Sequence, residues 1–64
     1  VQKMAQITEK ELTAIEDQLA SEQTIISKMK VYSQMCSDKE LKQECDSIAQ
    51  KHQAHYDQLM SFLS

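Results

Sequence analysis

Not one glycine or proline occurs among the 64 residues. Glycine is the residue that takes positive φ at little cost, and proline is the residue that presets a turn, so a chain without either lacks the usual means of making tight β-turns. Strands are disfavoured for a second reason, because aromatic residues are scarce, with two tyrosines and one phenylalanine. The remaining fold class is all-α, and the length allows one domain, 1–64. Its first seven residues read as an N-terminal extension.

Two sets of helix-start signals divide the chain. Ile7-Thr8-Glu9-Lys10-Glu11-Leu12 and Cys36-Ser37-Asp38-Lys39-Glu40-Leu41 have the same form. Thr8 with Glu11, and Ser37 with Glu40, have the spacing of capping boxes, while Ile7 with Leu12, and Cys36 with Leu41, have the spacing of hydrophobic staples. The acidic residues of each first turn face the positive end of a helix dipole. Two helices are therefore expected, over about 8–36 and 38–63. Beyond these starts the halves do not align, so they are not an internal repeat.

The apolar rhythm supports the same division. Leu12, Ile15, Leu19, Ile26 and Met29 follow a 3,4 spacing that continues through Ser33 and Cys36, and Leu41, Cys45, Ile48, Leu59 and Phe62 follow it in the second half. The five-residue step from Cys36 to Leu41 breaks the phase, which argues for a turn at Ser37 rather than one long helix. Folding there gives an antiparallel hairpin in which residues whose numbers sum to about 75 lie opposite one another. Further apolar positions flank the seam, Ile25 and Tyr32 on the first helix and Ala49, Tyr56 and Leu63 on the second. So wide a face suits a second hairpin, and the expectation is a homodimer or higher homo-oligomer closed as a four-helix bundle. Size points the same way, since a chain this short buries only about 60% of the surface that its unfolded form exposes.

Three beats of the seam are ionisable. Glu22 interrupts the first helix, His52 and His55 interrupt the second, and the fold at Ser37 sets them at one level near mid-height. His52 and His55, three residues apart, point toward the same site. Two imidazoles and a carboxylate form a donor set for a divalent transition metal such as zinc, copper or iron. Tyr56, Asp57, Gln23 and Gln53 are candidates to hydrogen-bond behind those ligands. A buried glutamate facing histidine can equally serve as an ion pair that fixes register and partner choice without binding anything. A third reading is assembly that responds to protonation of the two histidines.

Other classes fit poorly. The net charge is −3, from ten acidic residues and seven dispersed basic ones, all of them lysine, whereas nucleic-acid recognition favours a concentrated basic face. No apolar run reaches the roughly 20 residues of a membrane span, and the first twelve residues lack the apolar segment of a signal peptide. There is neither a glycine-rich phosphate loop nor a nucleophile-histidine arrangement suited to these faces, so an enzyme is not expected. The four methionines read as core filling. Tyr32 and Tyr56 read as flank residues with wet hydroxyls, and Cys36 and Cys45 as small buried thiols about five residues out of level, too far apart to bridge.

The stretch ELTAIEDQLASEQTIISKMKVYSQMCSD followed by LKQECDSIAQKHQAHYDQLMSFL resembles the small spore-coat F-type proteins of endospore-forming bacteria, which are grouped with ferritin-like helical proteins. The likeness covers roughly residues 8 to 63, and its most distinctive piece is KHQAHY, Lys51 to Tyr56. It implies a non-enzymatic structural protein made in the cytoplasm of a sporulating cell and placed in the spore coat, with other coat proteins as partners. It also implies a comparison with ferritin-like di-iron sites, which use a helix glutamate and then Glu-x-x-His. Glu22 matches the first element and His55 the last, while His52 stands where a bridging carboxylate is expected. The extra nitrogen donor makes zinc or copper as reasonable as iron, in a metal-binding or metal-storage module.

Overall fold

The computed structural model describes residues 7–63. Two helices make up the described chain, α1 over Glu9–Met35 and α2 over Lys39–Ser61, packed along their length as an antiparallel hairpin. All but Ile7 of the N-terminal extension lies outside the described residues, and with it Met4.

Thr8 starts α1 in the way its spacing foretells. Its hydroxyl accepts from the Glu11 N–H at 3.1 Å, and its own N–H donates to Glu11 Oε1 at 3.0 Å, which completes a capping box. The Thr8 backbone N–H, helped by the Thr8 hydroxyl, holds the Glu11 carboxyl below its ordinary value, so the box is built around a carboxylate.

The second start differs from expectation by one residue. Asp38 is the N-cap of α2, with its carboxylate accepting from the Leu41 N–H at 3.0 Å, so the expected Ser37–Glu40 box is replaced. Both residues are good caps, but the carboxylate brings a full negative charge to the helix N-terminus, where a hydroxyl brings only a dipole. The shift leaves Leu41 55% exposed, so it does not close a staple with Cys36.

A chain without glycine cannot end a helix on the usual left-handed residue, and α1 stops by a different route. Cys36 turns extended, φ −73° and ψ 132°, after its N–H has donated to the Tyr32 carbonyl at 2.9 Å. Three residues, 36–38, make the crossing. Lys42 then reaches back, its ammonium donating to the Ser33 carbonyl at 3.0 Å, and so ties the second turn to the end of the first helix. At the other end, α2 tightens its last turn through Phe62 N–H to the Leu59 carbonyl at 3.1 Å and Leu63 N–H to the Met60 carbonyl at 2.9 Å.

The seam carries the expected residues but shields few of them. Ile26, Ala49, Glu22 and Ser33 are buried, no large side chain among the described residues is fully enclosed, and Leu12, Ile15, Leu19, Met29, Ile48 and Leu59 are half-buried. Val31, Tyr32, Met35, Leu41, Met60 and Phe62 are exposed. The hairpin measures 47 × 17 × 11 Å, so it is one helix thick. No helix among the described residues is long and apolar enough to cross a membrane.

Cys36 and Cys45 are free thiols and half-buried, not enclosed as expected, because each stands at the margin of this thin layer. Burial pushes the Cys45 thiol up, and the Cys36 thiol, a neighbour rather than out of reach as the expected offset implies, acts in the same direction.

The cap assignment is open to test by equilibrium unfolding at fixed protein concentration. Asp38→Ala is expected to cost about 1 kcal/mol, as cap removals do. Ser37→Ala is expected to stay within about 0.5 kcal/mol of the parent, as surface changes do. The reverse order would return the cap to Ser37.

Candidate functional site

Glu22 lies near the middle of α1, and its side chain is only 5% exposed. It stands on the seam because it occupies a beat of the same 3,4 spacing that brings Leu19 and Ile26 to the contact. A carboxylate there needs partners, since an unpaired buried charge is strongly unfavourable. Both oxygens find them.

The His52 imidazole donates from Nδ1 to Glu22 Oε1 in a short, direct hydrogen bond across the hairpin. On the other oxygen, the Gln18 amide donates to Oε2 at 3.0 Å from one turn earlier on α1, and His55 Nδ1 stands 3.8 Å away. The His52 hydrogen bond is the largest influence holding the Glu22 carboxyl below its ordinary value. Burial opposes it, while the Gln18 amide and the two imidazoles act with it. Glu22 is therefore an anion at neutral pH, with every buried oxygen satisfied.

The two imidazoles meet edge to face, with centroids 5.4 Å apart and planes at 80°. Exposure rises in steps across the cluster, from 5% for the Glu22 side chain to 28% for His52 and 58% for His55. The site is thus anchored in the seam and open at His55. One ligand atom from each of the three lies within 4.8 Å of the others. Ligands held at about 2.0–2.1 Å from a tetrahedral ion stand about 3.4 Å apart, so the cluster lies close to the spacing of a three-ligand site. For an ion to bind at His52 Nδ1, the hydrogen that this nitrogen donates to Glu22 would have to leave it, because a metal-ligating imidazole nitrogen carries no hydrogen.

All three expected residues come together, but the surrounding residues are distributed differently. Gln23 donates to the Tyr56 hydroxyl at 3.2 Å, and Gln53 donates to Asp57 at 3.0 Å. These four bond to one another and not to the ligands, and the Tyr56 hydroxyl is therefore an acceptor within the protein as well as a wet group. The amide that does support the carboxylate is Gln18, which is not among the residues expected there. Its signal was present, since a glutamine four residues before a glutamate is a spacing that brings side chains together on a helix.

No family model, curated protein or solved structure matches this chain.

The Glu22–His52 contact makes a stability difference that melting curves in chelator can read. Glu22→Ala leaves His52 and Gln18 without their acceptor and is expected to lower the Tm. Leucine at both 22 and 52 removes the charge and its partner together and is expected to melt at or above the parent. A double-leucine variant melting below Glu22→Ala would show that the pair contributes more than its own compensation.

Proposed function

We propose that this hairpin is a non-enzymatic assembly unit, one half of a four-helix bundle that a second copy completes. The observation that carries the reading is the lack, among the described residues, of any fully buried large side chain beside six exposed large apolar ones. Burying one isoleucine such as Ile26 contributes about 1.5–3 kcal/mol. Ordering the backbone of one or two residues costs about as much. A layer with so small an interior gains its stability from what covers it, and two helices of 27 and 23 residues match a copy of themselves in length. The resemblance to small spore-coat F-type proteins supports a place for such a unit in the coat of a sporulating cell, among other coat proteins. Sedimentation equilibrium is expected to find a homodimer or larger species at micromolar concentration, with unfolding that shifts with protein concentration. A stable folded monomer would overturn the reading.

A second reading is favoured by the Glu22, His52 and His55 cluster, whose ligand atoms gather within 4.8 Å of one another. Here the unit also holds a divalent transition-metal ion in its seam. Zinc and copper suit two imidazoles and one carboxylate better than magnesium or calcium, which prefer oxygen donors throughout. Protein purified without chelator is expected to carry such a metal in elemental analysis, and the His52→Ala, His55→Ala double variant to lose it. A negligible metal content that zinc addition does not raise would leave the cluster as a structural polar layer.

A further inference from the structure

The seam is open at the turn end of the hairpin. Met35, which closes α1, is 76% exposed, and Leu41, near the start of α2, is 55% exposed, so the apolar side chains there do not meet across it. The last beat of the seam on α1's side is Cys36, and the first shielded beat on α2 is Cys45, one turn before the buried Ala49. Both are half-buried free thiols. The bond from the Lys42 ammonium to the Ser33 carbonyl, at 3.0 Å, joins the residues that stand three places before each cysteine. Residues three apart share a helix face, so Cys45 lies on the side of α2 from which Lys42 reaches the end of α1.

Helical geometry on both sides would hold the two sulfurs apart, because an offset of about five residues is about 7.5 Å of rise. Cys36 has left the helix, however. With φ −73° and ψ 132° it is extended and begins the crossing to α2, so the rise along α1 no longer fixes its distance from Cys45. The two thiols interact directly, since Cys36 acts on Cys45 through a hydrogen bond as well as through charge. That hydrogen bond favours the protonated form of Cys45, so the Cys45 S–H donates and the Cys36 sulfur accepts. Asp46 and Glu44, on either side of Cys45, also disfavour a thiolate there. A disulfide carries no charge, and bridging therefore suits this place better than lasting ionisation does.

We propose that Cys36 and Cys45 are a redox site, a dithiol that closes reversibly to an intrachain disulfide and staples the turn end of the hairpin. The oxidant is a low-molecular-weight disulfide such as oxidised glutathione. One cysteine thiolate attacks a sulfur of that disulfide, forming a mixed disulfide and releasing one glutathione thiolate. The second cysteine then attacks the protein sulfur of the mixed disulfide and releases the other. Each released thiolate takes up a proton that a cysteine has lost, so two protein thiols are oxidised while one small disulfide is reduced to two thiols. The bridge closes a loop of ten residues and joins the end of α1 to the second turn of α2, where Met35 and Leu41 leave the seam open. A covalent staple is a common supplement to the core of so short a chain. Closure and folding are linked, because the factor by which the folded chain favours the bridge is the factor by which the bridge favours the folded chain. Neither the assembly reading nor the metal reading uses a cysteine, so this site stands apart from both.

Glutathione is the probe. The full chain, equilibrated with chelator in buffers of graded reduced and oxidised glutathione, is expected to lose two hydrogens by mass spectrometry while running as a single chain on a non-reducing denaturing gel. The effective concentration of the two thiols, read from that equilibrium, is expected to fall by roughly tenfold or more when the chain is unfolded in urea. The oxidised chain is expected to melt above the reduced one at equal protein concentration. Cys36→Ser and Cys45→Ser are each expected to abolish the closed product and leave only mixed disulfides with glutathione or links between chains. If the parent itself forms only such mixed disulfides or interchain links, the proposal is overturned. An effective concentration no higher in the folded chain than in urea would overturn it as well, because the fold would then do nothing to bring the thiols together. If oxidation lowers the melting temperature, the bridge strains the turn and the stapling role is lost.

Discussion

Two helices lying side by side shield only the strip along which they touch, because each side chain in that strip still has open space above and below the layer. This geometry governs the rest of the molecule. It is why residues on a regular 3,4 spacing, such as Leu12, Ile15, Leu19 and Leu59, end half-buried although the pattern is that of a core. It is also why Ile26 and Ala49 are the only buried apolar residues described. A third or fourth helix is what normally converts such a strip into an interior, and the chain supplies none among its described residues.

Against that background Glu22 is the most deeply held polar group, and its environment is complete. One oxygen takes the His52 proton and the other the Gln18 amide, with His55 at the edge. Placing an anion in the strip where apolar contact is scarcest reduces stability that the fold can ill spare, unless the pair specifies something in return. Register is one return, since the pair forms only when α1 and α2 are level at mid-height. The proposed metal site is compatible with that role, because its three candidate ligands, Glu22, His52 and His55, are the groups that meet there.

The two sides of the layer satisfy their polar groups in different ways. On the side carrying Gln23 and Tyr56, amides and hydroxyls satisfy one another locally, which keeps that side compatible with water. The other side mixes Ile25, Tyr32 and Ile48 with Gln18, Glu44 and His55, and there the Gln18 amide is committed to Glu22. Ile25 and Tyr32 on α1, and Ala49 and Tyr56 on α2, all flank the seam in the linear pattern, yet Ala49 is buried in the seam itself and Tyr56 lies on the opposite side from Ile25 and Tyr32. Only the relative rotation of the two helices, visible in the Gln23–Tyr56 bond, separates them.

Helix class, helix number, the first cap and the level of Glu22 with His52 and His55 were all determined by the sequence alone, because each rests on local chemistry or on a repeat of 3.6 residues. A chain with no glycine or proline and two capping signals has little choice of secondary structure, and a phase break at the turn sets the register. Tertiary structure decided the rest. Asp38 displaced Ser37 as cap through a charge–dipole advantage between two adjacent good candidates. Gln18 came to the carboxylate by its local i,i+4 spacing, whereas the bond from Gln23 to Tyr56 depends on how the two helices meet. The graded exposure from Glu22 to His55 was also a tertiary outcome. Periodicity says which positions meet a neighbouring helix, but how far each remains open to water depends on how thick the finished layer is.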